Sequence, residues 1–338
     1  MKSNKLNIAF ITLASLALCI FIYVSTDFGQ VKDIIYHANL QWLFIAVICM
    51  FSYWLLESGI LYCTANSIKR KLSFHKAIKT TMIGQFFNNL TPFSSGGQPM
   101  QIYYMSKQNF DIGEASSILL MKFIIYQGAL IIYTGLLLIL RLTFFVNNVS
   151  QIGYLAILGF SVNLIVILAL IAIGFFPTIT LKISTWTIHL LHKMHLVKQK
   201  EKTIAKVTTQ IQEFHEAFHV LLTKKRVLVR AIGLTALQLT AYFLIPFCIC
   251  MALHITSTSV ISVIAASAFV LMVSSFVPLP GASGGAEGSF YIFFGIFIVN
   301  PALIAVAIVI WRVITFYLPL IVGIFFCRFN SAQTKQVQ

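Results

Sequence analysis

Four ionisable side chains lie inside long apolar stretches of this chain, where a charge is costly unless it faces protein or water. Lys122 and Arg312 are the cations, and Glu57 and Glu287 are the acids. A buried cation can bind a phosphate, and an arginine can do so through two parallel hydrogen bonds. Two simpler explanations stay open: the cations reach the polar surface of a membrane, or the acids and cations form structural ion pairs.

Two glycine-rich segments share the pattern Pro-x-x-Ser-Gly-Gly, at 92–97 and at 280–285, which is an offset of 188 residues. Proline and glycine interrupt helices, so each segment predicts a break in an apolar stretch. We expect backbone N–H groups around 96–98 and 284–286 to be free to contact a phosphate at these breaks. The alternatives are that the glycines only allow close helix packing, or that they mark surface turns.

The composition indicates a membrane protein. Of the 338 residues, 59% are hydrophobic and 10% are charged, whereas about 25% of the residues of a soluble domain are charged. The net charge of +15 is concentrated in short loops and in segment 177–228, which favours contact with anionic lipid over binding of nucleic acid. The six cysteines lie in apolar runs without a C-x-x-C pair. We therefore expect no disulfide, no metal site and no cofactor.

Hydropathy predicts six full spans and two broken elements. The spans are 6–24, 40–63, 115–140, 152–176, 229–253 and 302–327. The broken elements, 77–105 and 259–299, each contain one glycine-rich segment. Placing the Lys- and Arg-rich loops in the cytoplasm predicts a multi-pass protein of the cell membrane with both termini cytoplasmic. In that orientation the two broken elements enter the membrane from opposite faces.

The 188-residue offset also relates the spans on either side of each break. We therefore predict a single membrane domain over 1–338, an all-α polytopic bundle with an inverted repeat. Repeat 40–140 and repeat 228–328 each consist of a span, a broken or re-entrant hairpin and a second span. The basic cytoplasmic segment 177–228 connects them. This plan is typical of alternating-access transporters with a site near the membrane midplane.

The basic segment supplies a competing hypothesis. His215, Glu216 and His219 form H-E-x-x-H, which on a helix places two zinc ligands beside a general base, as in metalloproteases. Against a protease, no third ligand with recognisable context appears. The same helix also carries one apolar stripe, formed by Ile204, Val207, Ile211, Phe214, Phe218 and Leu221. The stripe predicts a helix that lies on the membrane surface or packs beneath the bundle.

The glycine-rich segments identify a related family. Thr-Pro-Phe-Ser-Ser-Gly-Gly-Gln-Pro at 91–99 and Pro-Leu-Pro-Gly-Ala-Ser-Gly-Gly-Ala-Glu-Gly at 278–288 resemble the lysylphosphatidylglycerol synthase transmembrane-region family. Trp-Arg-Val-Ile-Thr-Phe-Tyr-Leu-Pro at 311–319 is similar to its closing span. The resemblance covers nearly the whole chain. It implies a region like the flippase part of the multiple peptide resistance factor, which moves aminoacylated phosphatidylglycerol between leaflets and is linked to resistance to cationic peptides.

The family's synthase domain is not expected in this chain. The sequence stops eleven residues after Cys327, and segment 177–228 is too short for such a domain. The description phosphatidylglycerol lysyltransferase would therefore apply to this chain only because the membrane region is shared with that family. The resemblance implies a separate aminoacyl-lipid synthase as a partner.

The sequence thus predicts a protein that binds and translocates a membrane phospholipid. The predicted lipid-binding residues are Gly96, Gly97, Gln98, Lys122, Ser283, Gly284, Gly285, Glu287 and Arg312. Lys122 and Arg312 are expected to supply charge for the phosphate, and Glu287 to accept an ammonium group of the lipid. A structural membrane protein without transport activity is a further alternative.

Overall fold

The computed structural model describes residues 28–67, 72–148, 150–193, 199–256, 258–275 and 277–327. In chain order the helices are α1 (Phe28–Tyr36), α2 (Leu40–Ala65), α3 (Phe74–Leu90), α4 (Gly97–Ser106), α5 (Ile112–Asn148), α6 (Ser150–Phe175), α7 (Pro177–Lys193), α8 (Lys200–Thr223), α9 (Lys225–Ala252), α10 (Val260–Ser274), α11 (Gly285–Phe294), α12 (Pro301–Arg312) and α13 (Leu318–Phe326). These ranges contain no β-strand, which confirms the predicted all-α class. The predicted first span, 6–24, lies outside the described residues.

Five helical stretches of the described ranges are long and apolar enough to cross a membrane. They are Leu40–Ala65, Ile112–Arg141, Ile157–Phe175, Lys225–Ala252 and Pro301–Phe326. Each overlaps a predicted span, so the polytopic class is confirmed. α10 has only 15 residues, which is shorter than the roughly 20 that a full crossing requires.

Both glycine-rich segments interrupt the helices, as predicted. A 3-10 turn at Pro92–Ser94 follows α3, and a second 3-10 turn at Pro280–Ala282 lies between α10 and α11. Phe93 has a φ of 54° and Gly281 a φ of 61°, so both turns pass through the left-handed region in which a helix cannot continue. The offset of 188 residues holds for the turns and for the starts of α4 and α11.

α11 begins at Gly285, at the end of the second glycine-rich segment. Gly284 ends the turn with a φ of 83°. Its N–H donates to Oε2 of Glu287 at a distance of 2.7 Å. The Glu287 carboxylate therefore caps the first helical turn.

The two predicted repeats meet along their first spans. α2 and α9 form the most extensive helix contact within the described residues. The rings of Tyr53 on α2 and Tyr242 on α9 have centroids 5.3 Å apart. The two 3-10 turns also contact each other, so the interruptions lie together at this junction. The opposite orientation of the repeats in a membrane stays a prediction.

The apolar stripe of α8 packs beneath the bundle. Ile211 and Phe218 are both buried, and α8 contacts α5, α6 and α7. The ring centroid of Phe218 lies 5.0 Å from that of Phe175 at the end of α6. This settles the question left open by the sequence in favour of packing against the protein. The side chains of Phe214 and Leu221 lie outside the described part of the chain.

Candidate functional site

A cavity of about 500 Å³ lies where the two halves meet. Both interruptions reach it, through Phe93 and Ser94 of the first 3-10 turn and through Gly281 and Ala282 of the second. The spans α2, α5, α9 and α12 supply much of the remaining wall. The volume lies within the range of about 300–1,000 Å³ that is usual for small-molecule sites.

The wall of the cavity is rich in neutral polar side chains. Its amides belong to Gln85, Asn88, Asn89, Gln98, Gln101, Gln127, Asn163 and Gln238. Tyr53, Tyr126 and Tyr242 contribute phenol groups. Among the described lining residues, the charged ones are Glu57, Lys122 and Arg312. Glu287 lies behind the wall and contacts Arg312 at 2.7 Å, so the two cations are balanced by two acids.

Arg312 is held at the cavity by residues within the second broken element. It ends α12 and is 5% exposed. Its Nη1 donates to the carbonyl oxygen of Gly281 at 2.9 Å. Its Nε lies 2.7 Å from Oε1 of Glu287 as an ion-pair contact without hydrogen-bond geometry. The guanidinium is therefore positioned by the 3-10 turn and by the first turn of α11.

One donor group of Arg312, Nη2, has neither a hydrogen bond nor an ion-pair contact among the described residues. Nη2 is also buried. The guanidinium carbon lies 5.1 Å from the ring centroid of Trp311 and 5.5 Å from that of Phe316. Directly after Arg312 the helix widens into a π-helical turn at Val313–Tyr317, a feature that occurs frequently at functional sites. A buried cationic donor without an acceptor is suited to binding an anion.

The first half carries its own ion pair at the same cavity. Nζ of Lys122 on α5 lies 2.5 Å from Oε1 of Glu57 on α2. The second carboxylate oxygen of Glu57 accepts from Nε2 of Gln85 on α3 at 2.6 Å. The structural pairing that the sequence left open is therefore present in both halves. Each half contributes one carboxylate and one cation.

Three of the six backbone amides predicted to be free are engaged within the chain. The Gly96 N–H donates to Oγ1 of Thr91 at 2.8 Å, and the Gly97 N–H donates to Oδ1 of Asn88 at 2.9 Å. The Gly284 N–H is taken by Glu287. Three of the amides expected to be free for a phosphate thus have partners already, because side chains of the preceding helix or the following turn cap them.

Close packing explains why glycine is favoured at three of these positions, Gly96, Gly97 and Gly285. A Cβ atom at Gly97 would lie 2.2 Å from Oδ1 of Asn88, and one at Gly285 would lie 2.1 Å from Cγ2 of Val277. Contacts under 3.0 Å force a neighbour to move. The packing explanation therefore holds here, whereas Gly284 has open space around it and is needed for its positive φ.

The structure brings three of the nine predicted residues to the cavity wall. These are Gln98, Lys122 and Arg312. The other six, all within the described ranges, lie beside the cavity or behind it and do not line it: Gly96, Gly97, Ser283, Gly284, Gly285 and Glu287. Glu287 acts through Arg312, since its carboxylate contacts the guanidinium.

Sequence reasoning missed the amide side chains of the wall other than Gln98. Gln238 is the clearest case, because it is 2% exposed and its Oε1 has no hydrogen-bond partner among the described residues. A signal was present, since Gln238 and Asn163 are polar residues within otherwise apolar spans. Polar side chains inside a span generally face the protein interior.

The described residues give no support to a zinc protease. Nδ1 of His215 lies 2.7 Å from the carbonyl oxygen of Gly174, so a backbone group occupies this ring nitrogen. Glu216 and His219 are exposed. Within the described ranges, no three His, Cys, Asp or Glu side chains come together in a group that could hold a metal ion.

Comparison with known proteins agrees with this architecture. The sequence profile of the family described as lysylphosphatidylglycerol synthase TM region matches residues 7–323. A UPF0104 membrane protein of Archaeoglobus fulgidus is 25% identical over 328 residues, which cover 96% of this chain and 98% of the relative. A UPF0104 membrane protein of Methanothermobacter thermautotrophicus is 22% identical over 301 residues, covering 88% and 87%. With this match and its apolar spans, the chain is a multi-pass membrane protein that belongs to the lysylphosphatidylglycerol synthase transmembrane-region family.

Proposed function

We propose that this protein binds a phospholipid with the headgroup phosphate in the cavity and moves the lipid between the two leaflets of the membrane. The observation that carries the proposal is the unsatisfied Nη2 donor of Arg312. A buried charged donor without an acceptor destabilises the protein. A phosphate oxygen supplies that acceptor, and the hydrogen bond to a guanidinium is strengthened by the opposite charges.

The architecture around the cavity supports movement of the lipid as well as binding. Transporters commonly place their sites at the interface of two repeats, where helices are interrupted. Here two interrupted segments contact each other at the cavity. A proline within α9, Pro246, also lines the cavity and removes one helical hydrogen bond there. These are positions at which helices can change their relative tilt without breaking a continuous hydrogen-bond ladder.

The substrate class follows from the cavity and from the family description together. A cavity of about 500 Å³ is suited to a headgroup, while the acyl chains stay in the surrounding lipid. The family description points to phosphatidylglycerol, either unmodified or aminoacylated. If the aminoacylated lipid is moved, the protein acts in cationic-lipid display in the cell membrane, downstream of a separate aminoacyl-lipid synthase. That activity is the basis for the expected link to cationic-peptide resistance.

The test is a leaflet-resolved flipping assay in reconstituted vesicles. Fluorescent phosphatidylglycerol is incorporated, and the fraction accessible to an impermeant quencher is followed over time for the wild type and for Arg312→Gln. Because hydrogen bonds to charged groups contribute about 1.5–3 kcal/mol, we expect the variant to slow flipping about tenfold or more. Arg312→Lys should retain part of the activity, since it keeps the charge but loses the planar fork.

Arg141→Gln is the matched control. Arg141 lies on α5 outside the cavity, and its Nη2 contacts Oγ of Ser259 at 3.4 Å. We expect this variant to flip lipid at the wild-type rate. Wild-type flipping by Arg312→Gln would show that the phosphate does not bind this guanidinium.

A further inference from the structure

α7, a short helix beside the bundle, carries apolar side chains on two opposite sides. It packs against α8 and α6, and its buried residue is Ile188. Its exposed large apolar residues, which we call the surface stripe, are Ile179, Ile183, Trp186 and Leu190, each between 45% and 67% exposed. Steps of four, three and four residues place them in one row along the helix. Ile188 lies roughly on the opposite side, since nine residues after Ile179 make two and a half turns. One side of α7 thus meets the protein, and the other is left uncovered.

The position of α7 in the chain places the surface stripe at a membrane surface. The stretch Ile157–Phe175 of α6 is long and apolar enough to cross a membrane. Phe176 alone separates it from Pro177, the first residue of α7, so α7 begins where this span ends. α7 has 17 residues, fewer than the roughly 20 that a full crossing requires. Phe175 and Phe176 are both exposed. Exposed apolar side chains therefore continue from the end of the span onto α7.

The charged residues of α7 favour anionic lipid over a second copy of the chain as the partner. α7 contains no Asp or Glu. Lys182 and Lys193 are exposed, and helical spacing places both along one edge of the surface stripe. A lysine at such an edge can extend its ammonium group to the lipid phosphates. Tryptophan and basic residues beside an apolar face are typical of helices that lie in the membrane interface. Contact between two stripes would instead bring like charges together, with no acid on α7 to pair them.

We propose that α7 lies in the plane of the membrane surface at the end of α6, with the surface stripe among the upper parts of the acyl chains and with Lys182 and Lys193 at the phosphates of anionic lipids. This contact is independent of the central cavity and of lipid movement. α7 and α8 belong to the segment that connects the two halves of the chain. The contact of α7 therefore holds this connection at one leaflet.

Trp186 reports the depth of the surface stripe, because lipids brominated on their acyl chains quench a tryptophan that they contact. The chain has four tryptophans, so the signal of Trp186 is the difference between the wild type and Trp186→Phe in the same vesicles. An in-plane helix is buried about 5–10 Å into the boundary of headgroups and acyl chains. We therefore expect bromine near the carbonyl end of the chains to quench Trp186 about twofold more than bromine near the methyl end.

Three other results of this measurement would overturn the proposal. Stronger quenching by bromine near the methyl end would place α7 in the interior of the bilayer. Quenching by aqueous iodide and not by brominated lipid would show that the surface stripe faces water. Shielding of Trp186 from both quenchers would show that a second copy of the chain, or another protein, covers the stripe.

The charge of the contacting lipid is tested by placing the same shallow bromines on phosphatidylglycerol or on phosphatidylcholine at equal mole fraction. Because the attraction of one lysine to an anionic surface corresponds to about a fivefold change in binding, we expect phosphatidylglycerol to be enriched at Trp186 about fivefold or more. The double variant Lys182→Gln, Lys193→Gln should lose this enrichment. Lys202→Gln with Lys206→Gln is the matched control, because both lysines are exposed on α8 and the charge change is the same. Equal quenching by the two lipids in the wild type, or an equal loss in both double variants, would refute the assigned contact.

Discussion

Removal of the Glu57 carboxylate has an expected cost that follows from its contacts. In Glu57→Gln, Lys122 loses its anionic partner, and the one amide oxygen that remains can replace only one of the two carboxylate oxygens that contact Lys122 and Gln85. The Lys122 side chain is only 14% exposed. Breaking a buried pair by removing one partner costs about 3–5 kcal/mol. Because both side chains retain some exposure to the cavity, we expect the lower end of this range, about 3 kcal/mol. Lys122→Met should cost less, since Glu57 keeps its hydrogen bond from Gln85.

A double-variant cycle separates the pair from its surroundings. Glu57→Gln combined with Lys122→Met leaves no uncompensated charge, so we expect it to recover most of the stability lost in Glu57→Gln, to within about 1 kcal/mol of the wild type. The assay is reversible unfolding in detergent micelles, followed by helical circular dichroism against increasing denaturing detergent. If Glu57→Gln costs under about 1 kcal/mol and the two changes simply add, the pair does not stabilise the bundle as we infer.

Two further predictions concern packing. Gly97→Ala places a Cβ atom 2.2 Å from Oδ1 of Asn88, so we expect a loss of about 1–3 kcal/mol in the same unfolding assay. Gly128→Ala is its control, because no atom outside the local helix backbone lies within 4 Å of the added carbon. We expect this variant to raise the free energy of unfolding by up to about 1 kcal/mol. A loss of stability in Gly128→Ala would contradict the packing argument. Phe218→Ala removes a buried ring whose centroid lies 5.0 Å from that of Phe175, and should lower stability by about 3–5 kcal/mol. A thermal midpoint unchanged from the wild type would show that α8 does not depend on this contact.

The fold was predictable wherever the local sequence decides the structure. Membrane spans follow from runs of apolar residues, and the two breaks follow from proline and glycine within such runs. The cap at the beginning of α11 was not predicted, because it depends on one side chain, Glu287, reaching back to the Gly284 N–H. A capping contact of this kind is local, but hydropathy does not show whether the residues near Gly284 belong to the preceding turn or to the helix.

The cations of the site could be predicted, whereas most of its neutral groups could not. Lys122 and Arg312 could be found because a cation within an apolar span stands out, and both line the cavity. The partner of the Gly97 N–H could not be found, because Asn88 lies nine residues earlier and meets it only after the chain reverses at the break. Placing Gln238 at the cavity would have required knowing which face of α9 meets α12. The H-E-x-x-H match could not be decided from the sequence, because a short motif carries no information about the Gly174 carbonyl group that contacts His215.

An experimental structure of the protein in lipid nanodiscs containing phosphatidylglycerol tests the central claim most directly. The quantity to measure is the distance from Nη2 of Arg312 to the nearest phosphate oxygen of a lipid. The account predicts a headgroup inside the cavity with this distance at about 2.7–2.9 Å, as in other charge-assisted hydrogen bonds. Lipid headgroups found only at the membrane surface, with Nη2 of Arg312 bonded to a protein group, would contradict it.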